Sequence, residues 1–390
     1  MRKFLFSCCP LTGHVQPLLS LAVNAIGLGC EVIFSTANEF AMYVKERGVE
    51  FFSTGQSFDR WWQRLCEEHP EQEFNKLEPH EVLLWYVPNL FAEIGITMRY
   101  AELFELANEW QPDVIIHDIL DFAAPAVAQQ LSIPNISHSL SPALLDVNLY
   151  LKAQPYYEMF LARYNVYAAE LCGAFRYGCI DIAPSSLQHP NMNVDQSKLI
   201  KMKPCDTNKL PEYNPFSGIR AKAKQNIYMT LGTYSSRDVA LFSLLLEAAR
   251  QLDSRILLTC GVLNDPKDFE KVPDNVGIAR FVPRENVLPY ADLVVCHAGA
   301  GTTLGGLAFG LPLVLLPIDA DQYEIANLCR KADVAIVVDH KTATATDVAN
   351  AANRALTDPY IRQACRRVQS EIAAMPSTAQ VLSKIESTLD

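Results

Sequence analysis

Short apolar runs alternate with helical patterns along the chain. Near its start, an apolar run over Lys3–Cys8 is followed by a helical spacing over Val15–Leu28 and a second apolar run over Glu31–Thr36. Short apolar runs bounded by Pro or Gly are typical of parallel strands that are buried on both faces. Strands that alternate with helices in this way predict an α/β fold with parallel sheets.

A second series of strands and helices begins at Asn226, after a polar, proline-bearing stretch over 188–224 that has no clear periodicity. Such a stretch is typical of a linker. The 390 residues also exceed the length at which one core usually divides, about 250–300 residues. We therefore predict an N-terminal domain over 1–212, a second domain over 213–374 and a C-terminal helix over 375–390.

The composition excludes several classes of protein. A formal net charge of −11 argues against general nucleic-acid binding. The eleven Cys residues are scattered without a C-x-x-C motif, which is typical of buried thiols in a reducing compartment. No apolar run is long enough to span a membrane, and the N-terminus is interpreted as the first core strand. We expect a cytoplasmic protein without stable membrane insertion.

A glycine-rich turn follows the strand predicted at Leu293–Cys296. Gly299 and Gly301 lack a Cβ atom, so the backbone there can turn tightly and approach a ligand. The helix predicted to begin at Thr302–Thr303 leaves N–H groups free for an anion, and these two hydroxyls and His297 can add donors. The turn therefore predicts a phosphate site.

Two alternatives compete with the phosphate site. Glycine-rich turns occur in α/β proteins for packing alone. A dinucleotide fingerprint, G-x-G-x-x-G, fits Gly299 and Gly301 but requires its third glycine at the position of Leu304. An NAD-dependent enzyme is therefore disfavoured.

A second candidate site combines His14 with Asp118. Asp118 ends the strand predicted at Val114–His117, beside the strand that leads to His14. A carboxylate on one imidazole nitrogen fixes the tautomer and stabilises the imidazolium formed when the ring takes up a proton. Asp118 could instead form a turn, whereas Asp121 is better placed to cap the helix predicted from Phe122.

Three motifs together resemble one protein family. H-x-G-x-G-T-T, G-x-P and P-x-x-x-D-Q follow one another over 297–322, T-G-H-V-Q-P stands at 12–17, and P-D-x-x-x-x-D at 112–118. They resemble the family 1 glycosyltransferases, the UDP-glycosyltransferase superfamily, and most closely the bacterial natural-product enzymes of the calicheamicin and macrolide type. The resemblance implies the GT-B fold: two Rossmann-like α/β/α domains facing across a cleft, with C-terminal helices that cross back to the first domain.

The resemblance also implies roles for individual residues. His14 would be the general base on the acceptor hydroxyl, oriented by Asp118. The residues assigned to donor binding are Gly13, Thr233, Phe281, Val282, His297, Gly299, Ala300, Gly301, Thr302, Asp321 and Gln322. Among them, His297, Gly301 and Thr302 would hold the diphosphate, Phe281 would stack on the nucleobase, and Asp321 and Gln322 would bind sugar hydroxyls.

Two positions depart from the family pattern. Gly305 stands where many members carry a Glu that binds the ribose, and Arg284 stands where Gln is usual. Recognition of the nucleoside sugar is then less stringent, so the donor can be a TDP-sugar as well as a UDP-sugar.

We therefore expect an inverting transfer of a sugar from a UDP- or TDP-sugar to a hydroxyl of a small hydrophobic natural product, without a metal or other cofactor. The aromatic-rich stretches 56–110 and 143–177 favour such an acceptor. A non-catalytic auxiliary protein would usually lose His14 and Asp118, and a nucleotide-sugar epimerase of the same fold would convert the donor without an acceptor. The sequence leaves a homodimer open.

Overall fold

A computed structural model describes residues 1–207, 211, 213–222, 224–232, 239–261, 264–269 and 272–388, except for the side chain of Asn75. The chain divides into two compact units. Unit 1 contains Met1–Ile182, His189–Met202 and the C-terminal segment from Pro376, and unit 2 contains Ala183–Gln188 and Lys203–Met375.

Unit 1 is built on a parallel sheet of seven strands in the order β3-β2-β1-β4-β5-β6-β7. The strands are β1 Lys3–Ser7, β2 Glu31–Thr36, β3 Glu50–Ser53, β4 Val114–Asp118, β5 Asn135–His138, β6 Cys179–Asp181 and β7 Leu199–Lys201. The helices between them are α1 Thr12–Gly27, α2 Ala41–Lys45, α3 Phe58–Glu68, α4 Val82–Tyr86, α5 Ile96–Trp110, α6 Ala123–Leu131 and α7 Val147–Ala162, with a π-helix at Val87–Gly95.

The register of the central strands brings their carboxyl ends to one edge of the sheet. Phe6 of β1 pairs with Ile116 of β4, and Asp118 of β4 pairs with His138 of β5. The apolar residues of β1 and β4 are fully buried, as continuous apolar runs predict, and the more polar β5 is almost fully buried as well. The loops after β1, β4 and β5 are therefore the place for a site in unit 1.

Unit 2 contains a parallel sheet of six strands in the order β10-β9-β8-β11-β12-β13. The strands are β8 Asn226–Thr230, β9 Arg255–Thr259, β10 Val276–Ala279, β11 Leu293–Cys296, β12 Leu313–Leu315 and β13 Ala335–Val337. The helices are α8 Val239–Ala249, α9 Arg284–Val287, α10 Ala300–Ala308, α11 Gln322–Lys331, α12 Ala345–Thr357 and α13 Pro359–Ala374. The prediction of two parallel α/β sheets is confirmed.

Single turns of 3-10 helix connect several of these elements. They lie at Asn38–Phe40, Phe74–Lys76, Pro142–Leu145, Glu170–Gly173, Ser185–Leu187, Gln196–Lys198, Pro266–Asp268 and Leu288–Tyr290.

The C-terminal helices pack on different units. Within unit 2, α13 packs on α10, and its Glu371 accepts hydrogen bonds from the backbone N–H and the hydroxyl of Ser186. The last helix, α14 Thr378–Thr388, belongs to unit 1 and packs on α1. In the described part of the chain, no helix is both long and apolar enough to cross a bilayer.

Two predictions of secondary structure in unit 1 are wrong. The sequence predicts a strand at Asp181–Ser186, but β6 ends at Asp181, and a further strand, β7, lies inside the predicted linker. Sequence periodicity missed β7 because it is a three-residue edge strand whose Lys201 binds Asp181 at 2.6 Å. The sequence predicts a helix over 143–177, but α7 covers only Val147–Ala162, and the backbone at Asn165, shortly after its end, is left-handed.

Two predicted helix caps are also wrong. The sequence predicts that Asn38 caps a helix, but Asn38 begins a 3-10 turn whose N-cap is Ala37. Helix α6 has Phe122 as its N-cap, without a side-chain hydrogen bond, because Asp121 has other partners described below.

Candidate active site

His14 and Asp118 are in direct contact in unit 1. Helix α1 begins at Thr12, three residues earlier than predicted, so Gly13 and His14 lie in its first turn rather than in the preceding loop. Nδ1 of His14 is 2.7 Å from Oδ2 of Asp118, the last residue of β4. The His14 side chain is 16% exposed and the Asp118 side chain 0%, so only the imidazole of this pair reaches the surface.

The Asp118 carboxylate is held by three donors. Besides His14, the backbone N–H of Cys9 donates to Oδ2 at 3.0 Å and that of Leu120 donates to Oδ1 at 2.6 Å. Burial alone would raise the pKa of Asp118, but the charge of His14 and these hydrogen bonds lower it to about 2. An ionised carboxylate on Nδ1 leaves Nε2 as the nitrogen that can accept a proton.

An aromatic ring covers one face of His14. The Phe91 ring, from the π-helix Val87–Gly95, lies parallel to the imidazole with centroids 6.2 Å apart, and Trp61 meets Phe91 edge-on. A Cβ atom on Gly95 would lie 2.8 Å from Trp61, so this close packing requires glycine. Sequence analysis did not predict the contact with His14, because a π-helical segment shifts side chains out of the α-helical period.

Neighbouring polar residues of β4 and its following turn have structural partners. His117 points away from His14, as strand alternation predicts, and its ring contacts the Asp118 carbonyl and the Asn135 amide. Asp121 accepts a hydrogen bond from Ser7 and pairs with Arg99, instead of capping α6.

One cluster of metal-ligand type occurs among the described residues. The ligand atoms of Cys9, His14 and Asp118 lie within 4.8 Å of one another. This cluster contains the His14–Asp118 pair itself. The absence of a metal requirement therefore stays a prediction.

The glycine-rich turn in unit 2 joins β11 to α10. Ala298 has a left-handed backbone with φ +68°, Gly299 is the N-cap and α10 begins at Ala300, two residues before the predicted start. The amides of this first turn have no intrahelical acceptor and point out of the helix end. Thr302 is partly exposed there, whereas Thr303 is buried with its hydroxyl next to Cys296, so its predicted role as a donor is wrong.

His297 is packed between two glycines. A Cβ atom on Gly232 would lie 2.6 Å from Cε1 of the ring, and one on Gly299 would clash with Nε2. Burial lowers the pKa of His297 to about 4, which a hydrogen bond to the Thr230 backbone only partly offsets. Nδ1 is buried and lacks a hydrogen-bond partner in the described part of the chain. The ring is therefore neutral at physiological pH, and its hydrogen bond to the Thr230 backbone uses its single N–H.

Arg284 lies against the first turn of α10. A Cβ atom on Gly301 would clash with Nη1 of Arg284, and one on Gly305 would lie 3.7 Å from its Cδ. Gly301 thus makes room for this positively charged side chain, whereas a Cβ atom on Gly305 would come closest to Cδ1 of Leu288, at 3.0 Å. Nearby in the chain, Phe281 is 54% exposed and Val282 partly exposed. An exposed ring is free to stack on a flat ligand.

The sugar-binding candidates begin the next helix. Asp321 is the N-cap of α11 and Gln322 its first residue. Oε1 of Gln322 accepts hydrogen bonds from the backbone N–H groups of Ile318 and Asp319, which fixes the loop after β12. Thr233, also predicted to bind the donor, lies outside the described residues.

Known proteins resemble the chain in both sequence and fold. The family "Erythromycin biosynthesis protein CIII-like, C-terminal domain" matches residues 243–388. Oleandomycin glycosyltransferase from Streptomyces antibioticus is 26% identical over 301 residues, which cover 71% of this chain and 68% of the relative.

Two solved structures share the fold over the whole chain. The glycosyltransferase SnogD from Streptomyces nogalater has a TM-score of 0.77 at 22% identity, covering 100% of this chain and 99% of SnogD. Spinosyn rhamnosyltransferase SpnG, solved with thymidine diphosphate, has a TM-score of 0.79 at 18% identity, covering 99% of this chain and 100% of SpnG.

Proposed function

We propose that this chain transfers a sugar with inversion from a TDP-sugar to a hydroxyl of a small hydrophobic natural product. The chain is a nucleotide-sugar-dependent glycosyltransferase of family 1 with the GT-B fold. The distance of 2.7 Å between His14 Nδ1 and Asp118 Oδ2 carries this proposal. It supports the role of His14, in the first turn of α1, as a base of fixed tautomer.

His14 is the general base of the proposed reaction. Nε2 takes the proton of the acceptor hydroxyl while the hydroxyl oxygen forms a bond to the anomeric carbon. The bond between that carbon and the diphosphate oxygen breaks in the same displacement, which inverts the configuration. The ionised Asp118 stabilises the imidazolium, and general base catalysis of this kind contributes about 10²–10⁴ in rate.

Unit 2 holds the donor and its leaving group in this proposal. Negative charge grows on the diphosphate as the glycosidic bond breaks, and the first-turn amides of α10 are fixed donors for that charge. His297 supports this turn from its position between Gly232 and Gly299, and Arg284 adds a positive charge. Fixed donors that bind more strongly as charge develops stabilise the transition state more than the bound donor.

The preference for TDP over UDP is supported by Gly305 and by a structural neighbour. Position 305 has no carboxylate that could bind a ribose 2′-hydroxyl, and a thymidine nucleotide has no such hydroxyl to bind. In addition, SpnG was solved with thymidine diphosphate. The hydrophobic acceptor is supported by the aromatic side chains around His14, which include Phe91 and Trp61.

The two rival functions are less well supported. Curated relatives such as oleandomycin glycosyltransferase and L-demethylnoviosyl transferase are sugar transferases, which favours neither an epimerase nor a non-catalytic auxiliary protein. The retained contact between His14 and Asp118 also argues against an auxiliary protein, in which the pair has no use.

Calorimetric titration with TDP and with UDP, both in EDTA, tests the donor assignment. We expect micromolar binding of TDP, tighter than that of UDP. Tighter binding of UDP would overturn the TDP assignment, and the absence of binding by either nucleotide would overturn the role of unit 2 as the donor site.

A further inference from the structure

A buried guanidinium lies next to the site in unit 1. Arg99, on α5, is 1% exposed. Its terminal nitrogens donate hydrogen bonds to the Cys8 carbonyl, the Ser7 hydroxyl at 3.0 Å, the Ser35 carbonyl at 3.3 Å and the Thr54 hydroxyl at 2.9 Å. Nη1 also forms an ion pair with Oδ2 of Asp121 at 3.1 Å. The guanidinium thereby joins the ends of β1 and β2, the residue after β3 and the turn after β4.

One peptide group connects Arg99 to the catalytic pair. The oxygen of the Cys8–Cys9 peptide accepts from Nη1 of Arg99, and its N–H donates to Oδ2 of Asp118 at 3.0 Å. The same Oδ2 contacts Nδ1 of His14 at 2.7 Å. Because hydrogen bonds in a chain polarise one another, a cation on the peptide oxygen strengthens the N–H bond to the carboxylate.

A second connection runs through the turn after β4. The backbone N–H of Asp121 donates to the carbonyl of Asp118 at 2.9 Å, and its carboxylate accepts from the Ser7 hydroxyl at 2.7 Å while it pairs with Arg99. Arg99 therefore holds both the peptide that binds the Asp118 side chain and the turn that carries the Asp118 backbone.

A gain in folding stability alone does not explain the buried ion pair of Arg99 and Asp121 well. A buried ion pair is often no more stable than apolar side chains of the same volume, because both charges must be removed from water. The chain also makes room for Arg99 at Gly55, where φ is +74° and a Cβ atom would lie 2.6 Å from the Arg99 Cγ.

We propose that Arg99 is a positioning residue for the His14–Asp118 pair and acts through the Cys8–Cys9 peptide group. This inference rests on the proposed function, because it concerns base catalysis by His14. A positioning residue of this kind changes the turnover step and leaves substrate binding almost intact, since the group it orients acts in the transition state.

The double variant R99M/D121N tests the proposal. It removes both charges together, so no unpaired charge is left buried, and it keeps a side chain of similar length at position 99. We expect kcat to fall about 10- to 100-fold, while KM for donor and acceptor changes less than about threefold. Thermal unfolding identifies the temperature range in which the variant is folded for the assay.

A second ion pair of unit 1 offers a matched control. Lys201 and Asp181 pair at 2.6 Å across β7 and β6, and Asp181 is fully buried. We expect K201M/D181N to keep kcat within about twofold. The proposal would be overturned if R99M/D121N had a kcat as high as that of this control. It would also be overturned if KM rose in R99M/D121N while kcat did not fall.

If R99M/D121N does not fold, the variant R99K tests the positioning role of Arg99 instead. Lysine keeps the charge beside Asp121 but has one nitrogen in place of the fork that reaches Cys8 and Thr54 together. We expect a loss of about tenfold in kcat at unchanged KM, and an unchanged kcat would contradict the proposal. Failure of the proposed function is distinguishable, because it would show as no transfer by the wild type or as no effect of H14A.

Discussion

The phenyl ring of Phe91 lies parallel to the imidazole of His14, with an angle of 8° between the rings and 6.2 Å between their centroids. Asp118 fixes the same imidazole through Nδ1, so the base is held at one edge and along one face. The orientation of Nε2 therefore depends on a residue of the π-helix as well as on the carboxylate.

Phe91→Leu is expected to lower kcat about threefold to tenfold, because the aliphatic side chain packs less closely on the ring and leaves His14 more freedom. Steady-state kinetics with donor and acceptor varied separately is the measurement. Phe160→Leu is the control, since Phe160 is equally buried in unit 1 and packs on Tyr100 instead of His14. Equal losses of kcat in both variants would show that general destabilisation is the cause.

Asp118 is expected to make stability depend on acid pH. Its pKa of about 2 in the folded protein lies below its ordinary value of 3.8, so its contribution is complete above about pH 4 and is lost as the pH falls towards 2. The difference corresponds to about 2 kcal/mol of unfolding free energy. Urea titrations of the wild type and Asp118→Asn between pH 4.5 and 2.5 should give a steeper loss in the wild type. Parallel curves would refute the assigned pKa.

Gly299→Ala is expected to weaken nucleotide binding at least about tenfold, because the added methyl group would push the His297 ring out of its position between Gly232 and Gly299. Calorimetry with TDP is the measurement. Gly27→Ala is the control, since a Cβ atom there meets nothing within 4 Å, and its affinity for TDP should match the wild type. An unchanged affinity of Gly299→Ala would remove His297 from the donor site.

Transfer is expected to proceed without a metal ion, because the first-turn amides of α10 and the Arg284 side chain supply the donors for the diphosphate in this account. Initial rates should agree within about twofold before and after dialysis against EDTA. Activity that EDTA abolishes and magnesium restores would contradict this expectation.

Residues near the ends of neighbouring strands were the most predictable part of the site. The contact between His14 and Asp118 follows from two adjacent parallel strands, whose carboxyl ends must meet at one edge. The turn from His297 to Gly301 was equally predictable, since strand, turn and helix are contiguous in the sequence.

Residues that reach the site from distant elements were not predictable in this way. Arg99 stands 91 positions from Cys8, and helical periodicity does not tell which charge a buried face tolerates. Phe91 lies in the aromatic-rich stretch 56–110, but the contact that its ring makes depends on the π-helix. Only the three-dimensional structure places Phe91 beside His14 and connects Arg99 to Asp118 through the Cys8–Cys9 peptide group.

The most direct test of base catalysis by His14 is product formation from TDP-glucose and a panel of hydroxylated aromatic and polyketide acceptors, followed by mass spectrometry for the wild type and His14→Ala. We expect a glycosylated product and free TDP from the wild type, and turnover lower by about 10²–10⁴ in His14→Ala with nearly unchanged affinity for TDP. Equal rates in the two proteins, or a loss of TDP affinity as large as the loss of turnover, would contradict the assignment of His14 as the base.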